Sequence, residues 1–217
     1  MPNDQQLVQD VMAELDWDPS LTAAHIGVTA EQGIVTLSGH VESFAEKRAA
    51  EAAAYRVNGA HAVIEGIEVR LPFSRKKSDE QIAATAIDHL AWNVTVPPDA
   101  ISVMVESGWV TLTGKVDGRH QKEAALRDIC QLTGVIGIID HISITPCVNI
   151  ETVSDGIMHA FHRSWFFDTK RVTVSAQGGK IHLTGTVPTQ HDRRIAAEIA
   201  WAAPGATDVE NDIKVHP

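Results

Sequence analysis

Aromatic residues are scarce, 5% of 217 with a single tyrosine, and basic side chains are outnumbered, 18 against 28 acidic. The shortfall of Lys and Arg leaves a formal charge of −10, which excludes a general nucleic-acid binder because phosphates demand a cationic face. It also opposes adhesion of the whole surface to anionic lipid. No apolar run approaches the ~20 residues that cross a bilayer. Cysteine is reduced to Cys130 and Cys147, without metal-ligand or CxxC spacing. Cys130 falls in an apolar helical pattern as a buried small residue, and Cys147 follows Pro146 in a linker. The opening Met1-Pro2-Asn3-Asp4-Gln5-Gln6 has neither a basic start nor an apolar stretch, so it does not read as a secretory signal. That predicts a cytoplasmic chain, periplasmic only if a leader was removed. What remains, 44% apolar, is an ordinary soluble composition able to bury cores.

The decisive feature is an internal repeat. Gly33-Ile34-Val35-Thr36-Leu37-Ser38-Gly39-His40-Val41 recurs as Gly108-Trp109-Val110-Thr111-Leu112-Thr113-Gly114-Lys115-Val116 and as Gly179-Lys180-Ile181-His182-Leu183-Thr184-Gly185-Thr186-Val187, at offsets of 75 and 71 residues. The same offsets relate Gly59, Gly134 and Gly205, then Ile67, Ile142 and Ile213, then Leu7, Ile82 and Val153. Landmarks in one order, three times over, are not chance.

Each unit reads alike. Asn3, Ser78 and Asn149 stand as N-caps before apolar residues at helical spacing, Leu7/Val11/Leu15, Ile82/Ala86/Leu90 and Val153/Ile157/Phe161. Gln6 and Gln81 complete capping boxes in the first two. Two alternating segments follow, separated by Gln32-Gly33, Ser107-Gly108 or Gln177-Gly178-Gly179, which predicts a β-hairpin with one buried face. A second helix is opened by Ser43 with Glu46, or Thr189 with Asp192, and Gly59, Gly134 and Gly205 are expected to end it in the C′ position. The last strand is Ala62–Val69, Val135–Ile144 or Thr207–Val215. The fold class is therefore α+β: three tandem αββαβ units, each a three-stranded mixed sheet packed on two helices, over residues 1–72, 78–146 and 149–217.

Units this small have marginal cores and are expected to support one another through interfaces. The basic connector Phe73-Ser74-Arg75-Lys76-Lys77 predicts a movable joint, whereas Cys147-Val148 is short enough to predict rigid docking of the second and third repeats. The third strand of each unit leaves an exposed sheet edge, able to pair between units or between chains, so a homo-oligomer stays open.

The motif at Gly33–Val41 and its copies resembles the BON domain family, named for bacterial OsmY and nodulation proteins. So does Gly-Ala-Thr-Asp-Val-Glu-Asn-Asp-Ile-Lys-Val at Gly205–Val215, which is similar to the family's G-V-x-x-V-x-N-x-(L/I)-x-V ending. The resemblance covers the chain as three tandem copies. Repeat 1 carries Glu65-Gly66 and repeat 2 Asp140-His141 in that ending, so a role tied to its asparagine is expected to be confined to Asn211. The resemblance implies a mostly bacterial, non-enzymatic protein linked to osmotic or envelope stress, acting through phospholipid or protein contact. It also implies an alternative, because some cytoplasmic relatives respond to small ligands or ions, including potassium.

For a contact surface the best local feature is Arg163, Trp165, Phe166, Phe167, Lys170 and Arg171, rings flanked by cations as an interfacial anchor requires. Trp17 and Trp92 follow the corresponding helices in the other repeats. Charge supports the third unit as the one to meet anionic lipid: residues 1–72 carry −7, residues 73–148 carry −2 and residues 149–217 carry −1. Two readings of the rings stay open, since Phe161, Trp165 and one of Phe166 and Phe167 could instead close the small core, although three consecutive bulky side chains leave at least one outward.

Eleven histidines include the pair His159 and His162 on one helix face, and His191-Asp192 at a helix start, but no HExxH or equivalent set. His25, His40, His61, His120, His141 and His182 are read as exposed polar positions, and neither a metal nor a cofactor is expected. A catalytic residue is not expected either: Ser38 lies inside a strand with Thr113 and Thr184 as counterparts, and Gly178-Gly179 is a hairpin turn rather than a phosphate loop. Two functions remain. The first is a scaffold that binds phospholipid or a client protein, with an acidic first repeat also suited to holding cationic clients. The second is a small-ligand or ion sensor that works by rearranging its repeats.

Overall fold

The structure, a computed structural model, describes residues 4–145, 150–163 and 172–215. The first repeat comprises α1 (Asp4–Trp17), β1 (Ile26–Glu31), β2 (Ile34–Val41), α2 (Phe44–Arg56) and β3 (Ala62–Val69). The second comprises α3 (Asp79–Trp92), β4 (Ile101–Glu106), β5 (Trp109–Val116), α4 (Arg119–Cys130) and β6 (Gly137–Ile144). The third comprises α5 (Ile150–Arg163), β7 (Val172–Gln177), β8 (Lys180–Val187), α6 (Gln190–Trp201) and β9 (Asp208–Val215). Packing groups them into two compact units, Met1–His89 with Val103–Thr111 and Arg127–Ile139, and Leu90–Ser102 with Leu112–Leu126 and Asp140–Pro217.

Each repeat builds its own three-stranded mixed sheet, in the orders β1-β2-β3, β4-β5-β6 and β7-β8-β9. In the first and third sheets the hairpin is antiparallel, and the strand after the second helix returns parallel to the central one. Alternation decides which face is buried. Val35, Leu37 and Ile67 turn inward against Leu7, Val11 and Leu15 of α1 and Ala50, Ala53 and Ala54 of α2. Ile181, Leu183 and Ile213 do the same against Ile157, Ala196 and Ala200. Ile82, Ala86, Val110, Leu112, Ile129 and Ile142 are buried in the second repeat. Each fully buried Leu, Ile or Val contributes roughly 1.5–3 kcal/mol, and the alanines on the second helix let it lie close to the sheet.

Local signals set the joints. Gln32 and Gly33, Ser107 and Gly108, and Gly178 and Gly179 all have positive φ, 51–87°, the two-residue turn that matches strand twist. In the first two repeats the turn is also tied to the opening of the first helix. Gln32 and Gly33 N–H donate to the Asp4 carboxylate at 3.1 and 3.4 Å, and Ser107 and Gly108 N–H to Asp79 at 2.7 and 2.9 Å. Ser78 with Gln81 and Thr189 with Asp192 form reciprocal capping boxes, and the Ser43 hydroxyl accepts the Glu46 N–H. Asn3 and Asn149 lie outside the described residues. The second helices stop before the glycines expected to end them: the C-caps are Val57 and Ala202, so Gly59 and Gly205 instead turn the chain into the third strand. In the connector, 73–75 form a single 3-10 turn, with Arg75 3.9 Å from Glu42. In the second unit the Arg119 guanidinium lies 4.2 Å from the Trp201 ring centroid, and Gly205 N–H donates to the Asp117 carbonyl at 3.0 Å.

The third strand is less open than its position predicts. Ile67 N–H donates to Glu65 Oε1 at 2.8 Å and its carbonyl accepts Lys47 Nζ at 2.9 Å, while Lys47 and Glu65 pair at 3.0 Å. Ile142 is closed the same way by Asp140 at 2.9 Å and Lys122 at 2.8 Å, with Lys122 and Asp140 at 2.7 Å. In the third repeat Asn211 accepts the Ile213 N–H at 3.2 Å and exchanges two 2.9 Å bonds with Arg193. The role expected of Asn211 alone is thus filled in all three repeats, by Glu65, Asp140 and Asn211. A carboxylate serves where the helix offers lysine, and an amide where it offers arginine. The edge groups of Ile67 and Ile142, and the Asn211 carbonyl and Ile213 N–H, are thus already bonded and not free to template another strand.

The motif glycine of β2 is fixed by contact. Gly39 has φ of 110°, and a Cβ there would lie 2.0 Å from the His25 carbonyl oxygen. Gly39→Ala is therefore expected to destabilise the first repeat by about 3 kcal/mol. A urea unfolding curve identical to that of the native chain would contradict this account of the motif.

Candidate functional site

Helical spacing places the exposed tryptophans. Leu7, Val11 and Leu15 hold the inward stripe of α1, and Trp17, two residues past Leu15, is turned about 200° from it. It is 84% exposed. Trp92 bears the same relation to Leu90 and is 86% exposed. Both close their helices rather than follow them, and Arg163, the last described residue of α5, stands at the equivalent position. Among the remaining sequence candidates, Trp165, Phe166, Phe167, Lys170 and Arg171 lie outside the described residues.

A second set of exposed apolar groups, which no sequence motif marks, lies on the sheet faces away from the helices. Ile34 and Ile64 are exposed on the first sheet, and Met104, Trp109 and Ile139 on the second. The Trp109 ring covers Gly137, where an added Cβ would come within 2.4 Å of it. The signal was present in the alternation, because Val110 and Leu112 pointing inward require Trp109 to point outward. At the equivalent places the third sheet carries Ser175, Lys180 and Glu210. One fold therefore presents apolar outer faces twice and a polar one once.

Polar groups at the other candidate positions are engaged locally. The Ser38 hydroxyl donates to the Gly27 carbonyl at 3.4 Å. The His25 and His40 rings stack with centroids 4.7 Å apart. Arg56 bridges Glu14 at 2.8 Å and Asp18 at 3.1 Å, joining the ends of α1 and α2. The Ser20 hydroxyl and N–H, and then Arg56, hold the Asp18 carboxyl below the usual carboxylate range. Parallel pairing of β8 and β9 gathers His182, Glu210 and Asp212, residues 28 and 30 positions apart that no local motif connects.

Cys130 is half-buried rather than buried as its helical pattern predicts. Burial pushes its thiol above the ordinary value, and Arg48 offsets this in part.

Two antiparallel strands, a helix and a parallel third strand, with a glycine motif used for turns and close backbone approach, define a class of small tandem α+β scaffolds. The sequence pattern of the BON domain matches residues 3–70, 78–146 and 151–217, and the chain belongs to that family. It is 25% identical over 187 residues to osmotically-inducible protein Y of Escherichia coli K12, covering 76% of this chain and 89% of that protein. Solved structures of CdsD, a structural protein of the type III secretion system of Chlamydia trachomatis, are 18% identical. They align over 98% of this chain and 93% of the other at a TM-score of 0.27, and for the CdsD C-terminal domain over 99% and 100% at 0.27.

With its pKa raised, Cys130 carries less thiolate at neutral pH than an ordinary cysteine, and the thiolate is the nucleophile. In a Cys147→Ser chain at pH 8, iodoacetamide should alkylate Cys130 at least about tenfold more slowly folded than in urea. Equal rates would contradict the shielding.

Proposed function

We propose that this chain is a non-enzymatic, stress-associated interaction scaffold that presents indole rings at its helix ends to a phospholipid surface or a protein partner. The observation that carries the reading is the near-complete exposure of Trp17 and Trp92 at the same place in two repeats. A large ring held in water by a folded helix costs free energy that burial in an interface recovers, and its N–H suits the polar edge of such an interface. The likeness to an osmotically inducible protein supports the link to stress. The use of the motif glycines in turns and close backbone contacts supports a role without chemistry. Among the described residues no helix is long and apolar enough to cross a membrane, so contact with lipid would be at its surface. The formal charge of −10 favours neutral headgroups over anionic ones.

Flotation of the full chain with neutral and anionic vesicles tests the lipid arm. Binding to neutral vesicles with a blue-shifted tryptophan emission is expected, reduced about tenfold for each ring removed in Trp17→Ala and Trp92→Ala. Without flotation, the protein arm predicts that a pull-down captures partners that the doubly substituted chain loses. Failure of both overturns the reading.

A further inference from the structure

We propose that His182, Glu210 and Asp212 form a binding site for a divalent transition-metal ion of the zinc class on the outer face of the third sheet. This inference stands apart from the scaffold reading and rests on the strand register.

In the parallel pairing of β8 with β9, His182 lies opposite Glu210 and Thr184 opposite Asp212. Residues two apart on a strand share a face, and directly opposed side chains have Cβ atoms about 5 Å apart. All three side chains emerge on the face away from the helices, because Ile181, Leu183 and Ile213 between them are buried on the other. Their donor atoms all lie within 4.8 Å of one another, and a His182 ring nitrogen, Nε2, is already 2.9 Å from Asp212 Oδ2. An ion bound at roughly 2.0–2.2 Å wants donors roughly 3–3.5 Å apart. The closure needed is on the order of 1 Å, within reach of a turn about the flexible Glu210 side chain.

The donor set selects the ion. One imidazole nitrogen and two carboxylate oxygens suit zinc, nickel or copper, whereas magnesium and calcium prefer oxygen ligands throughout. Two carboxylates balance the double charge. Three protein donors leave coordination positions for water, as in open rather than closed zinc sites. The nearest bases along the strands bracket the trio, with Lys180 opposite Asp208 and Lys214 opposite Thr186.

The other repeats are an internal control. At the equivalent positions repeat 1 has Thr36, Ile64 and Gly66, and repeat 2 has Thr111, Ile139 and His141. Both build the same three-stranded sheet without the trio, so the fold does not require these residues. A bound ion would clamp edge strand β9 to the central strand β8 and stabilise the third repeat by mass action.

Calorimetric titration of the metal-stripped full chain with zinc chloride, in a buffer that does not chelate, tests the site. Saturable binding in the micromolar range is expected, weakened at least tenfold by His182→Ala and by Glu210→Gln/Asp212→Asn. Magnesium should bind at least a hundredfold more weakly, and both variants should melt like the native chain without metal. No saturable zinc binding, binding unaltered by either substitution, or equal affinity for magnesium would overturn the proposal.

Discussion

A parallel third strand, brought back along the central one by a helix, stands at the edge of each sheet with backbone groups that no strand accepts. The fold depends on how these are satisfied. The second helix sits over the sheet, and from its first turns Lys47, Lys122 or Arg193 reaches over that edge. The third strand supplies the partner from its own middle, Glu65, Asp140 or Asn211, which also takes the N–H two residues on. One cation and one acceptor thus tie the helix to the third strand and occupy backbone groups at the middle of its edge. The contribution of such a charge-assisted pair is about 1.5–3 kcal/mol, large for a repeat of this size.

With the inner face and edge committed, variation is left to the outer face and the helix ends. Those are the places where the three repeats differ. The first two expose isoleucine, methionine and tryptophan on the sheet and end their first helix in tryptophan, whereas the third has a histidine and two carboxylates on its sheet and arginine at the position equivalent to those helix-end tryptophans. A triplicated scaffold with one interior and divergent surfaces can offer distinct contacts from a single chain. This is the physical basis for seeking its function in those surfaces.

Most of the fold was legible in the sequence because its signals are local. The apolar spacing of Leu7, Val11 and Leu15, the turn Ser107-Gly108 and the capping residues Thr189 and Asp192 each lie within a few residues of what they determine. What escaped is non-local. Lys47 and Ile67 are 20 residues apart, Asp79 and Gly108 are 29 apart, and His182 and Asp212 are 30 apart, joined only once the crossover helix sets the register. The equivalents of the asparagine in the family ending are hidden for the same reason, since Glu65 and Asp140 look like departures until Lys47 and Lys122 are placed beside them. Of the candidate surface, Trp17 and Trp92 were legible as helix-end rings. The outward direction of Trp109 is implicit in the inward Val110 and Leu112, but alternation alone does not show whether an outward ring is covered or exposed.

Hydrogen exchange at the amides of Ile67 and Ile142 in the full-length chain measures the edge closure most directly. The account predicts slow exchange at both, with Glu65→Ala releasing Ile67 and Asp140→Ala releasing Ile142 while the other repeat is unchanged. Exchange in the native chain as fast as at an open sheet edge would contradict it.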